Sequence, residues 1–283
     1  MSNIILTLTT IPERLHNSIY NYDMRFCIES LLNQNYTKEY EVHINIPNVY
    51  SKTGEQYTIP EWLQEIEDIR LKIFRTDDYG SITKLIPTLE RLTNKEDVII
   101  VVDDDMVYHS ELINEHLNNR DKWPDYAVGY DGVRSRNTDG TFADNFNDNR
   151  DYYFSATGIN SLVDILQHYK TVSYKRYFFE DDFVEFIDKY GTWCDDTSVS
   201  AYLASKNRGR LATYYVDDKI FSNYDKYLSN LKHTFPITRY VEHGTGEGCN
   251  LDRSENDKPF YEKNTYLYTQ YIDNSYLDKD WKI

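Results

Sequence analysis

Three consecutive aspartates, Asp103, Asp104 and Asp105, stand directly after the unbroken apolar run Val98-Ile99-Ile100-Val101-Val102. A run of that kind predicts a strand covered on both faces. Side chains on a strand alternate between faces, so Asp103 and Asp105 are expected to point one way and Asp104 another. Two carboxylates on one side can share a cation. Three acids ending a buried strand repel one another, and a hard divalent ion held by oxygen ligands relieves that repulsion. The plain alternative is a solvated turn whose aspartates cap a following helix, because Asp favours both places.

The elements that must position these acids are legible upstream. Ile4 to Thr9 alternates, is rich in β-branched residues and is broken by Pro12, which predicts a first strand running into a loop. Residues 18–33 carry Met24, Cys27, Ile28, Leu31 and Leu32 at helical spacing. Glu41 to Ile46 alternates as a second strand, residues 60–69 read as a short helix opened by Pro60, and Leu71 to Arg75 as a third strand. Residues 82–92 read as a helix and 97–102 as the fourth strand, followed much later by a helix near Thr197 to Ser205. Strands alternating with helices imply an α/β architecture with a mainly parallel central sheet flanked by helices. Ligands in such sheets sit beyond the carboxyl ends of the strands, where both Thr9-Thr10-Ile11-Pro12 and the triple aspartate fall. Residues 137–151 read as a polar loop, and the chain from His233 onward as Tyr-rich and mostly irregular.

Composition narrows the function. A chain of 283 residues can bury a sizeable core, and 40% hydrophobic with 15% aromatic residues excludes a disordered acidic chain. The formal net charge of -16 argues against a nucleic-acid partner, which would need clustered Lys and Arg. An anionic substrate therefore needs a metal or a local basic pocket. No apolar run approaches the roughly 20 residues of a membrane span, and the start reads as a strand rather than a signal peptide. Cys27, Cys194 and Cys249 are odd in number and widely spaced, which suggests neither a disulfide framework nor a zinc site and fits a reducing, cytoplasmic setting.

Four segments in order, Leu8-Thr-Thr-Ile-Pro-Glu-Arg14, Asp78-Tyr-Gly-Ser-Ile-Thr-Lys84-Leu-Ile-Pro87, Val102-Asp-Asp-Asp-Met-Val-Tyr108 and Cys194-Asp-Asp-Thr-Ser-Val-Ser-Ala-Tyr-Leu203, together resemble a family of GT-A-fold, nucleotide-sugar-dependent glycosyltransferases (glycosyltransferase family 2-like) found in bacteria and large DNA viruses. The resemblance spans residues 4–208. It implies a single GT-A (Rossmann-like) domain in two halves over 1–283: a nucleotide-sugar-binding half (1–110), an acceptor-binding half (111–235) and a C-terminal segment (236–283) closing over the site. A viral member would work in the host cytoplasm.

By the same resemblance, Thr9, Thr10, Ile11, Pro12 and Arg14 hold the nucleotide. Arg14 balances phosphate charge or forms only a surface ion pair. Asp78, Tyr79, Gly80 and Lys84 lie beneath the ribose and diphosphate, with Gly80 permitting close backbone approach. Asp103 and Asp104 face the nucleotide sugar, and Asp105 and Asp103 bind Mn2+ or Mg2+ in the Asp-x-Asp manner. His243 in Glu-His-Gly-Thr-Gly is the implied third metal ligand, with His233 its competitor. The implied donor is a nucleotide-diphosphate sugar, UDP-linked, and the acceptor a glycan or glycoprotein-glycan hydroxyl. That hydroxyl needs a base, which falls on Asp196 first and Asp195 second, while capping of the helix is the structural alternative for both. Inversion is the expected course.

One departure concerns the acceptor side: Val163-Asp-Ile-Leu-Gln167-His168-Tyr169 stands where relatives carry an acid and a glycine. His168 either binds an acceptor hydroxyl or covers the core. Tyrosines, 27 in all, can stack on sugars but are expected mostly to be packing residues, and Trp193, beside the acidic pair, is the first aromatic to test for sugar contact. Asp103-Asp-Asp105-Met-Val107 also resembles the signature of haloacid-dehalogenase-like phosphotransferases, whose first Asp is a nucleophile, although that signature follows the first strand of its fold rather than the fourth. A catalytically silent nucleotide- or sugar-binding module is the third reading.

Overall fold

The structure, a computed structural model, describes residues 2–16, 18–133, 153–155, 160–190 and 195–213. Its elements run β1 (Ile4–Thr9), α1 (Pro12–His16), α2 (Ser18–Leu32), β2 (Glu41–Pro47), α3 (Glu61–Gln64), β3 (Leu71–Thr76), α4 (Ile86–Arg91), β4 (Val98–Val101), α5 (Leu112–Lys122) and β5 (Tyr126–Gly129). Then follow β6 (Asp131–Val133), β7 (Tyr153–Ser155), β8 (Ser161–Leu162), β9 (Ile165–Leu166), β10 (Val172–Lys175), α6 (Phe183–Tyr190), α7 (Asp195–Ser205) and β11 (Gly209–Ala212).

Eight strands form one sheet in the order β3-β2-β1-β4-β10-β5-β11-β8. The pairs β1–β2, β1–β4, β2–β3 and β5–β11 are parallel, which makes this the α/β architecture with a mainly parallel sheet. Strand β10 runs antiparallel between β4 and β5, with Val172 opposite Val101. Its start therefore lies beside the end of β4, at the edge where the acidic turn begins. A second, three-stranded sheet has the order β7-β6-β9.

The apolar run of β4 divides between two cores as period-two alternation requires. Ile100 and Val102 pack with Leu6, Leu8, Ile44, Ile28 and Leu112. Ile99 and Val101 pack with Ile86, Val172, Tyr174, Phe178 and Tyr202 on the other face.

Two expected helices are shorter than their patterns suggest. The segment after Pro60 holds only the four residues of α3. Residues 82–92 divide into a 3-10 turn over Gly80–Lys84 and then α4, because Pro87 in the first turn of α4 has no N–H with which to continue an α-helical ladder from the preceding turn.

That 3-10 turn is fastened to the sheet by buried polar side chains. Thr7 Oγ1 donates to the Lys84 carbonyl at 2.5 Å and lies 2.8 Å from Thr88 Oγ1. Asn45 Nδ2 donates to Thr7 Oγ1 and Thr88 Oγ1 at 3.1 and 3.0 Å, and Arg91 donates to Asn45 Oδ1 at 2.6 Å. The hydroxyls of Thr7 and Thr88 and the amide of Asn45 thereby gain partners, and the Lys84 backbone is held against β1. Among the described residues no helix is long and apolar enough to cross a membrane.

Candidate active site

Strand β4 stops at Val101, and residues 103–108 form a turn clamped from beneath. The Asp103 N–H donates to Tyr108 Oη at 2.8 Å, and the Cys27 thiol donates to the Asp103 carbonyl at 3.2 Å. Because the turn is no longer a strand, alternation does not govern its side chains, and the expectation that Asp103 and Asp105 share a face is corrected. Asp104 and Asp105 converge instead on Arg14, which α1 presents from the end of β1: Nη1 pairs with Asp104 and Nη2 lies 2.8 Å from Asp105 Oδ2. Asp103 turns to Lys84, whose Nζ is 2.5 Å from its Oδ1.

Lys84 carries the site further. The same Nζ lies 2.9 Å from Asp195 Oδ2 at the start of α7. His168 Nδ1, from the turn that precedes β10, lies 2.8 Å from that oxygen and 2.9 Å from Asp196 Oδ1. Asp103, Lys84, Asp195, His168 and Asp196 thus form one continuous chain of charges, buried at Lys84 and His168 and half-buried at Asp103 and Asp196. Asp195 Oδ2 and His168 Nδ1 lack a well-aligned hydrogen bond, so these contacts are ionic rather than strongly directional. On its far side His168 Nε2 meets Tyr174 Oη of β10 at 2.7 Å.

The electrostatics follow from burial and partners. Burial disfavours charge on Lys84, but Asp103 and Asp195 outweigh it and hold the ammonium well above its usual pKa. Burial likewise opposes charge on His168, and Asp195 with Asp196 overcomes it, raising the imidazole to about 9, so it is cationic at neutral pH. Burial alone would raise Asp195, yet Lys84 and His168 hold it well below the carboxylate range. Asp196 is raised by burial and by the charge of Asp195, against the opposing pull of His168. Asp105 is raised to about 6 by burial and by its two aspartate neighbours, against Arg14.

The other sequence candidates are placed as follows. Thr9 Oγ1 donates to the Asn45 carbonyl at 2.8 Å, so its hydroxyl serves the sheet. Thr10 is buried with Oγ1 unpartnered, while its carbonyl accepts from Tyr57 Oη at 3.0 Å. Ile11 and Pro12 lead into α1, where the Arg14 N–H donates to the Ile11 carbonyl at 3.1 Å. Asp78 organises a turn: its oxygens accept from the Gly80 and Ser51 N–H groups at 2.8 and 2.7 Å. Tyr79 donates its N–H to Thr83 Oγ1 at 2.8 Å, and Gly80 adopts φ +67, the left-handed conformation that requires glycine there. Lys84 was expected in the first turn of a helix beneath a diphosphate. It ends the 3-10 turn instead and is already paired to two carboxylates. His243, His233, Trp193 and Cys194 lie outside the described residues.

Two features escaped the sequence reading. One is the engagement of His168 with both acids of α7; the signal was its position just before a strand that returns beside β4, which periodicity cannot reveal. The other is the Thr7–Asn45–Thr88 fastening beneath Lys84. His168, Asp195 and Asp196 could in principle ligate a metal. Lys84 Nζ also pairs with Asp195 at that point.

No family model and no curated protein sequence matches the chain. Among solved structures the chain is similar to S. aureus TarS 1-349, with a TM-score of 0.45 and 13% identity over 76% of this chain and 59% of that one. The same fragment in complex with UDP gives a TM-score of 0.43 at 13% identity, again over 76% and 59%. The structure of S. aureus TarS gives 0.48 at 14% identity, over 76% of this chain and 36% of that one, so the chain spans less than two thirds of the length of each.

Proposed function

We propose that the protein is a glycosyltransferase of the GT-A kind, moving a sugar from a nucleotide-diphosphate sugar, UDP-linked, to a glycan hydroxyl with inversion and with the help of Mn2+ or Mg2+. The observation that carries this reading is the charge chain itself. It joins a crowded acidic turn at the carboxyl ends of parallel strands to a second carboxylate pair at the start of a helix. One group of carboxylates suits a cation, which in turn suits a diphosphate, and the other suits a proton.

The turn fits a divalent ion. Asp103, Asp104, Asp105, Asp195 and Asp196 face Arg14, Lys84 and His168, an excess of carboxylates over cationic groups. Asp104 Oδ2 is buried without a hydrogen-bond partner, and Asp105 is raised to about 6. Oxygen donors short of positive charge are what a hard cation takes. Asp105 would hold it, with Asp104 Oδ2 as a further donor, Asp103 joining only by giving up its contact with Lys84, and His243 as the resemblance-based candidate beyond them. When bound, the ion supplies Lewis-acid stabilisation to a departing diphosphate. Arg14 adds a fixed positive charge on the same side. Asp196, less enclosed than Asp195 and raised in pKa, takes the proton of the attacking hydroxyl, a task that favours a base closer to neutrality than an ordinary carboxylate.

Two measurements test the proposal. UDP should raise the melting temperature in a Mn2+-dependent way that phosphomonoesters do not reproduce, and a panel of UDP-sugars should yield slow UDP release. Stabilisation without release points to a silent binding module, and phosphomonoester hydrolysis without UDP binding points to phosphotransfer.

A further inference from the structure

We infer that His168 is a positioning residue that divides the work of the two α7 carboxylates, holding Asp195 in the ion pair with Lys84 and leaving the more exposed Asp196 as the proton acceptor. The inference rests on the transferase reading and deepens it.

Consecutive aspartates opening a helix are alike in chemistry, and both are favoured there by the helix dipole. Their surroundings separate them. Asp195 Oδ2 meets two cationic groups, Lys84 Nζ at 2.9 Å and His168 Nδ1 at 2.8 Å, and its side chain is 12% exposed. Asp196 Oδ1 meets His168 alone of these, at 2.9 Å from Nδ1, also accepts the His168 main-chain N–H at 2.8 Å, and is 25% exposed. His168 therefore grips the Asp196 carboxylate with both backbone and ring while its own side chain, 2% exposed, is sealed from solution. That burial decides between the two roles left open by the sequence: His168 does not bind an acceptor arriving from solvent.

The ring is oriented from the core. Tyr174 Oη, buried on β10, engages Nε2 at 2.7 Å, which leaves Nδ1 to the acids. The groups facing His168 are thus Lys84 from the 3-10 turn, Asp195 and Asp196 from α7, and Tyr174 from β10. With Asp103 sharing Lys84, three carboxylates stand against two cationic groups, so a cationic ring at His168 offsets an excess of negative charge. An imidazolium beside Asp196 opposes the rise that burial and the adjacent Asp195 impose on that carboxyl. Without the imidazolium, Asp196 would hold its proton to higher pH and be unable to accept another.

The test uses the full chain with Mn2+ and UDP-glucose or UDP-N-acetylglucosamine, and reads kcat, donor KM and the pH profile of UDP release. His168→Asn keeps a donor near the Nδ1 position but no charge. Its kcat should fall about 10- to 100-fold with donor KM within about twofold, and the acid limb of its kcat profile should move to higher pH. His168→Ala should fall further, so the gap between the two variants measures the polar contact and the loss that remains in His168→Asn measures the charge. In 15N-histidine NMR the wild-type ring should stay protonated on both nitrogens at pH 8, consistent with a pKa of about 9, and this readout does not depend on any variant folding. A neutral ring at pH 7, or Mn2+ broadening that places a metal on His168, overturns the inference. So does an active wild type whose His168→Asn variant keeps kcat and pH profile unchanged. A wild type that releases no UDP from either donor refutes the transferase reading, and this inference with it.

Discussion

Replacing Lys84 by Met removes the one cation that bridges Asp103 and Asp195, while roughly preserving the volume of its aliphatic stem. The Lys84 side chain is 8% exposed and that of Asp195 12%, so the orphaned Asp195 carboxylate cannot recover full hydration. The cheaper response is to take up a proton. Keeping a carboxyl neutral at pH 7 against its ordinary value of 3.8 costs about 4 kcal/mol at 1.36 kcal/mol per unit, and about 1.6 kcal/mol at pH 5. Asp103, 25% exposed, is left out of this sum because water screens it. His168 stays beside Asp195, so these figures are ceilings. We expect a loss of about 2–4 kcal/mol at pH 7 and less than about 2 kcal/mol at pH 5. In the wild type, Asp195 is held below its unfolded pKa, so its stabilisation is present above that value and lost as pH falls through the depressed one. In the variant the carboxyl is raised, and stability instead declines as pH rises. Thermal melts at the two pH values read this as a difference of about 2–4 °C per kcal/mol for a chain of this size. A Lys84→Met protein that melts within about 1 °C of wild type at pH 7, or that is hurt more at pH 5, would show the bridge to be of little consequence.

Further outcomes follow from the same geometry. Asp105→Ala should abolish the Mn2+ dependence of UDP binding, measured by calorimetry; binding that keeps its metal dependence removes Asp105 from the ligand set. Asp105 is raised to about 6, so its ionisation weakens the fold as pH rises from its unfolded value through about 6, and Mn2+ should therefore stabilise more at pH 7 than at pH 5. Equal shifts at both pH values contradict that assignment. Asp196→Asn should lower transfer about 10²- to 10⁴-fold with donor affinity kept, and near-normal turnover retires it as the base. Thr7→Val removes a hydroxyl contacting Lys84, Asn45 and Thr88 and should destabilise by about 1–3 kcal/mol in denaturant melts; a neutral result would mean that neighbouring donors re-pair without it.

Local chemistry in the sequence was enough to place much of this molecule. The apolar run before Asp103 announced a strand buried on both faces, and β4 divides its side chains between two cores. Alternating strands and helices announced the mainly parallel sheet, the pattern after Asp196 announced a helix that does run to Ser205, and Gly80 marked a turn that needs a positive φ. These features depend on periodicity and backbone sterics within a few residues. What no local pattern determined is which charges meet. Arg14, Lys84 and His168 belong to distant segments, and they reach the aspartates because β1 and β4 lie side by side and β10 turns back antiparallel against β4. Strand alternation failed at Asp103 because the strand had already ended, and beyond that point side-chain direction answers to tertiary neighbours rather than to the pleat. The functional difference between Asp195 and Asp196 is of the same kind: identical residues in adjacent positions, made unlike by burial and by cations that only folding brings to them.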